Sequence, residues 1–216
     1  MPETIGVIFD MDGVIVHSNP THKKAIQIFC DKFDIEVSDS FLEKKVYGRT
    51  NKEWIPELFG EITSERQTTL ANEKEQLFRN MFNPEDFVVD GLHAFLDALR
   101  SENISMAVAT SAPVENADYI LSRLSIRDYF NTVLDSSHIT TGKPDPEVYV
   151  KAAKALGKKP ESCIVFEDSL AGVEAGLKAG CKVIGITTTH SPEELENCHL
   201  VVQNFENLSL EDLLRL

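Results

Sequence analysis

The stretch Val7-Ile8-Phe9-Asp10-Met11-Asp12-Gly13-Val14-Ile15-Val16 decides how the rest of the chain is read. Val7 to Phe9 form an uninterrupted apolar run, and Val14 to Val16 form a second. Continuous apolar residues suit a strand covered on both faces, as in a parallel sheet. Asp10 and Asp12 then arrive at the carboxyl end of that strand, where open α/β sheets bind ligands. Two carboxylates this close repel each other, and burial adds a desolvation cost, unless a cation joins them. The arrangement points to a hard-cation site acting on an anion. In isolation the same residues also fit a simple turn, since Asp and Gly are common turn formers.

Outward from this stretch the pattern divides in two. From Thr21 to Phe87 only helical spacing is found, carried by Ala25, Ile26, Phe29 and Phe33, then by Leu42, Lys45 and Val46. Trp54, Ile55, Leu58 and Phe59 mark a third helix, and Leu70, Leu77, Phe78 and Met81 a fourth. From Gly91 helices and strands alternate as in α/β folds. Strands are expected at Ser105 to Ala109, Thr132 to Leu134, Cys163 to Phe166, Lys182 to Ile186 and Leu200 to Val202. Asp145 is expected to cap a helix with Pro146 at its first position. Ser191-Pro192-Glu193-Glu194 reads as a capping box opening another helix, and Leu208 to Leu214 as the last one. The expected fold class is α/β: a doubly wound parallel sheet formed by residues 1–16 and 88–216, interrupted after its first strand by an all-helical cap, residues 17–87.

Composition narrows the function classes. The 216 residues are 42% hydrophobic, enough for one good core with a smaller insert. A net charge of −14 repels phosphate backbones and argues against nucleic acid as a partner. Met1-Pro2-Glu3-Thr4 provides no basic lead into an apolar segment, and no apolar run is long enough to cross a bilayer. Cys30, Cys163, Cys181 and Cys198 lack the Cys-x-x-Cys spacing of zinc and redox sites. These features predict a soluble cytoplasmic chain, monomeric by default, with a small molecule as its partner and no membrane partner.

Four strand ends or adjoining loops carry polar groups: Asp10 with Asp12, Thr110 with Ser111, Lys143 beyond a turn, and Glu167 with Asp168. Each has a plainer reading by itself. Thr110 and Ser111 fit a helix N-cap, Lys143 a solvated loop cation, and Glu167 with Asp168 a turn and cap. Strand ends on one side of a parallel sheet converge, however, and the combined set suits phosphoryl transfer, where positioning and charge neutralisation do most of the catalysis.

With these four motifs in order, the sequence resembles the haloacid dehalogenase superfamily over nearly its whole length, in the phosphatase and β-phosphoglucomutase branch that carries a helical cap. The resemblance implies Asp10 as a nucleophile that forms an aspartyl-phosphate and Asp12 as the acid/base. It implies magnesium held by Asp10, the Asp12 carbonyl and Asp168, with Glu167 as ligand or support. Thr110 and the Ser111 amide would hold phosphoryl oxygens, and Lys143 would balance the charges. An Asp at position 12 favours phosphate esters over the halide and phosphonate chemistries of the superfamily. In the cap, Arg49, Asn51 and His22 are the residues expected to face substrate. Two departures favour a phosphatase over the mutase: Asn51 stands where the mutase has a basic residue, and Ala112-Pro113 stand where it has Ser and Lys. A phosphomutase is the second reading, and a phospho-aspartate signalling switch the third.

Overall fold

The computed structural model describes residues 5–216. The reading of Met1 to Thr4 lies outside them. Strand β1 (Gly6–Phe9) is followed by helices α1 (Asn19–Asp31), α2 (Asp39–Phe41), α3 (Asn51–Phe59) and α4 (Ser64–Met81). Then come α5 (Leu92–Ser101), β2 (Ser105–Ala109), α6 (Val114–Arg123), β3 (Thr132–Leu134), α7 (Glu147–Ala155), β4 (Cys163–Glu167), α8 (Leu170–Ala179), β5 (Lys182–Ile186), β6 (Leu200–Val202) and α9 (Leu210–Leu214). All six strands pair in parallel, in the order β3-β2-β1-β4-β5-β6. The order reverses at β1, which is therefore the switch point where such sheets bind ligands.

Both faces of the sheet are covered, as the continuous apolar runs require. On one face Phe9 and Phe166 stack at 5.1 Å, with Phe95, Phe130 and Phe205 packed around Phe9. On the other, Ile8, Val165 and Val183 meet Tyr149, Ala152 and Ala175 from α7 and α8. Helices α1, α3 and α4 share their own buried cluster, built on Ile26, Phe29, Trp54, Ile55 and Leu70.

Three local expectations need correction. The short helix marked by Leu42, Lys45 and Val46 is a single turn, α2, running into a π turn at Leu42–Val46. Its wider winding buries Leu42 and Val46 together and is closed by the Tyr47 amide on the Leu42 carbonyl at 3.0 Å. Helix α7 starts at Glu147, with Pro146 as its cap residue, since the Pro146 carbonyl accepts the Val150 amide as the first turn's bond, while Asp145 Oδ1 accepts the Glu147 amide just ahead of it. Ser191 and Glu194 form both bonds of the capping box, yet residues 192–197 remain turns. The few residues before β6 offer too little length to repay helix nucleation.

Candidate active site

Because β1 lies between β2 and β4, the residues leaving those three strands are neighbours. Asp10 follows β1, Thr110 follows β2, Glu167 ends β4, and Asp168 comes next. Backbone pairing carries on past the strands: the Asp10 amide donates to Phe166 and the Thr110 amide to Leu134. The backbone thus fixes where these side chains stand.

Lys143 is buried among them, 1% exposed, and its Nζ donates to Asp10 Oδ1 at 2.6 Å and to Glu167 Oε1 at 2.5 Å. The loop lysine is therefore not a solvated charge. Tyr149 donates its hydroxyl to the same Glu167 oxygen at 2.6 Å. The other oxygen, Oε2, accepts the Asp168 and Ser169 amides and the Ser169 hydroxyl. Glu167 is thus saturated by protein donors and acts as a clamp on Lys143 and on the start of α8. The cap of α8 is Ser169, which accepts the Gly172 amide, so Glu167 and Asp168 are released from that duty. Thr110 and Ser111 likewise do not cap α6, which begins at Val114. Thr110 Oγ1 accepts the Ala112 amide, and Ser111 donates to the Gly48 carbonyl of the helical block at 2.7 Å.

Ligand oxygens of Asp10, Glu167 and Asp168 all lie within 4.8 Å of one another. Burial, then repulsion from Glu167 and Asp12, pushes Asp10 up to about 8, against the opposing effect of Lys143. Asp168 is driven well above the carboxylate range by burial and by the charges of Glu167 and Asp10. Glu167 moves the other way: burial would raise it, but Lys143 and its hydrogen bonds hold it low. One ammonium thus faces three carboxylates, and an all-oxygen set with surplus negative charge fits a hard divalent cation such as magnesium. Gly13 is required here, with φ at +82° and a position where a Cβ would collide with the Asp168 carboxylate.

Asp12 turns away from this cluster. Its Oδ1 accepts the Ser18 hydroxyl and lies 3.3 Å from His22 Nε2. His22 Nδ1 is 2.9 Å from Lys74 Nζ, and since an ammonium only donates, the network assigns the His22 proton to Nε2, facing Asp12. His22 is held flat against Phe78, with ring centroids 3.7 Å apart. Burial would raise Asp12, but the His22 and Ser18 interactions hold it below the usual carboxylate value.

The helical block closes the site from above. A cavity of about 60 Å³ is lined by Asp10, Asp12, Thr110, Ser111 and Asp168 from the sheet side, and by His22, Arg49, Asn51, Lys74 and Glu75 from the helices. Arg49 is half-buried on the loop after the π turn. Asn51 is committed at both ends, donating to Glu75 at 2.7 Å and accepting from Trp54 Nε1 at 3.0 Å.

Sequence reasoning missed Lys74, Glu75, Asn116, Tyr149 and Ser18. One signal was present. Lys74 lies midway between Leu70 and Phe78 at a spacing of four, so a charge sits within the apolar stripe of α4.

Comparison with known proteins agrees with this geometry. Residues 6–180 match the haloacid dehalogenase-like hydrolase family. The chain belongs to that family. It is 30% identical to the β-phosphoglucomutase of Bacillus subtilis, over 95% of this chain and 92% of that enzyme. It is 28% identical to the chloroplastic 5-amino-6-(5-phospho-D-ribitylamino)uracil phosphatase of Arabidopsis thaliana over 98% of its own length, and spans 57% of that enzyme. Among solved structures, β-phosphoglucomutase from Clostridium difficile superposes with a TM-score of 0.88 and 26% identity, covering 99% of this chain and 96% of the other. As a haloacid dehalogenase-like hydrolase of the phosphatase branch, the protein is a phosphoric monoester hydrolase.

Proposed function

We propose that this hydrolase is a magnesium-dependent phosphatase of a small phosphorylated metabolite, working through an aspartyl-phosphate on Asp10. The observation that carries this reading is the opposed placement of two neighbouring carboxylates. Asp10 is held by Lys143 inside the Asp10–Glu167–Asp168 cluster, while Asp12 is held outside it by Ser18 and His22. An Asp10 oxygen attacks phosphorus, the bond from phosphorus to the ester oxygen breaks, and Asp12, having taken up a proton as the ester binds, gives it to the departing oxygen. Asp12 then takes a proton from water as that water attacks phosphorus, and cleavage of the phosphorus bond to Asp10 releases phosphate.

Asp10, Asp168 and the Asp12 backbone carbonyl would hold magnesium, with Glu167 behind them. The ion would neutralise charge on the phosphoryl oxygens. Thr110 and the Ser111 amide orient those oxygens, and Lys143 balances them. Arg49, His22 and Asn51 face the rest of the substrate. Residues 17–87 act as the cap. A volume of about 60 Å³ is far below that of ordinary ligand pockets, roughly 300 Å³ upward, so an ester enters only when the cap swings off the core. Absence of a long apolar helix among the described residues and a charge of −14 fit a cytoplasmic monomer acting on a freely diffusing ester.

Phosphate release over a panel of phosphate esters, with and without magnesium, tests the reading. Multiple turnovers are expected, and Asp10→Asn and Asp12→Asn should each lower kcat by roughly three orders of magnitude or more. Conversion of β-glucose 1-phosphate without phosphate release would install the mutase instead. A single phosphorylation of Asp10 without turnover would install a switch.

A further inference from the structure

The cap end of the cavity has a charge arrangement that the catalytic steps do not use. Glu75 is 4% exposed and accepts three hydrogen bonds: from Lys74 Nζ at 2.8 Å and Asn51 Nδ2 at 2.7 Å on Oε1, and from Asn116 Nδ2 at 2.7 Å on Oε2. Asn116 comes from α6 of the sheet domain, and its Oδ1 accepts from Arg79 Nη1 at 2.7 Å, which fixes the orientation of its amide. Lys74 is 3% exposed, and besides Glu75 its Nζ meets His22 and stands over the Phe78 ring. Lys74 is therefore a cation whose charge is cancelled by an anion beside it. Ionisation of Glu75 is secure, since burial is outweighed by Lys74 and His22, which hold it at about 2. Arg49 also lines the cavity, from the loop after the π turn.

We infer that Glu75 is a specificity-determining residue that excludes a second phosphate from the cap end of the site and restricts the enzyme to monophosphates whose far end is neutral. The inference rests on the phosphatase reading for the nature of the ligand. A dianionic group brought to Lys74 would lie next to the Glu75 carboxylate, and like charges forced together in a desolvated site are a strong means of rejecting a ligand. A neutral hydroxyl meets no such repulsion. Lys74 alone would be a ready anion clamp, and Glu75 removes that capacity. A purely structural role is the competing explanation: Glu75 joined to Asn116 would then serve only to brace the cap against the core.

Binding separates the two. Calorimetric titration with magnesium would compare glucose 6-phosphate and glucose 1,6-bisphosphate on the Asp10→Asn protein, which retains the cavity without turnover. The monophosphate is expected to bind about 10-fold tighter or more. Adding Glu75→Gln should close or reverse that gap by tightening the bisphosphate, and adding Lys74→Met to that variant should restore it. Equal or tighter binding of the bisphosphate by Asp10→Asn alone would overturn the inference without any change at Glu75, as would no binding of either ligand. A parallel shift of both ligands on Glu75→Gln would overturn it in favour of the brace. Phosphate release by the unmodified enzyme, assayed separately, reports on the phosphatase reading, so either can fail by itself.

Discussion

Glu167 accepts Lys143 and Tyr149 on one oxygen and three donors from residues 168 and 169 on the other. Removing one donor from a buried carboxylate leaves a lone pair unmet, at about 1–2 kcal/mol. Tyr149→Phe should lose that much stability in urea unfolding while keeping the fold. Glu75 gives a pH-dependent case. It sits at about 2, against 4.5 for an unperturbed glutamate, because Lys74 and His22 outweigh burial. The folded state therefore binds fewer protons than the unfolded chain, so this stabilisation is complete above pH 4.5 and is lost as pH falls towards 2. The contribution is about 3 kcal/mol at most. Urea unfolding measured between pH 5 and pH 2 should show a steeper loss for the natural protein than for Glu75→Gln; identical slopes would refute it. Residue roles were only partly legible in the sequence. Asp10 and Asp12 announced themselves by following an apolar run, but nothing local marks Glu75, whose partners Asn51 and Asn116 are distant in the chain.

Between elements, the helical block meets the sheet domain through a few polar ties. Glu53, which also closes the capping box of α3, accepts the Gly142 amide at 3.1 Å, next to Lys143. A Cβ at Gly142 would collide with that carboxylate. Glu53→Ala should therefore loosen cap closure over the lysine loop and lower kcat/KM about 3- to 30-fold, with a loss of about 1 kcal/mol from the cap box. Steady-state kinetics and thermal unfolding would read the two effects separately. Strands were legible because buried parallel strands leave uninterrupted apolar runs such as Val183 to Ile186. Helix starts were less so. The Ser191 box is complete in its hydrogen bonds and still opens no helix, since capping satisfies a terminus without creating the turns behind it.

For the molecule as a whole, the surplus of buried carboxylate at the sheet's switch point predicts a coupling between metal and stability. A cation that binds only the folded state stabilises it by mass action. Magnesium at 100 times its Kd should add about 2.7 kcal/mol, read as a rise in Tm, and Asp168→Asn should abolish most of that rise. Removing the metal with a chelator should stop phosphate release reversibly. The large-scale organisation was legible in the sequence because the helical block and the alternating segment differ in periodicity. The closeness of the two across a cavity of about 60 Å³ was not, since it depends on side chains meeting across long separations.

The position of β1 also bears on how the protein is made. Its residues, Gly6–Phe9, leave the ribosome before either neighbour, yet they pair on one side with residues 105–108 and on the other with residues 163–166. The strand leading into Asp10 must wait, unpaired and apolar, while the helical block and β2 are synthesised. Its second edge remains open until β4 emerges. Such long-range pairing folds slowly and exposes sticky edges meanwhile. A nascent chain halted before residue 163 has Asp10 but neither Glu167 nor Asp168, so the acidic cluster is completed late in translation and all at once.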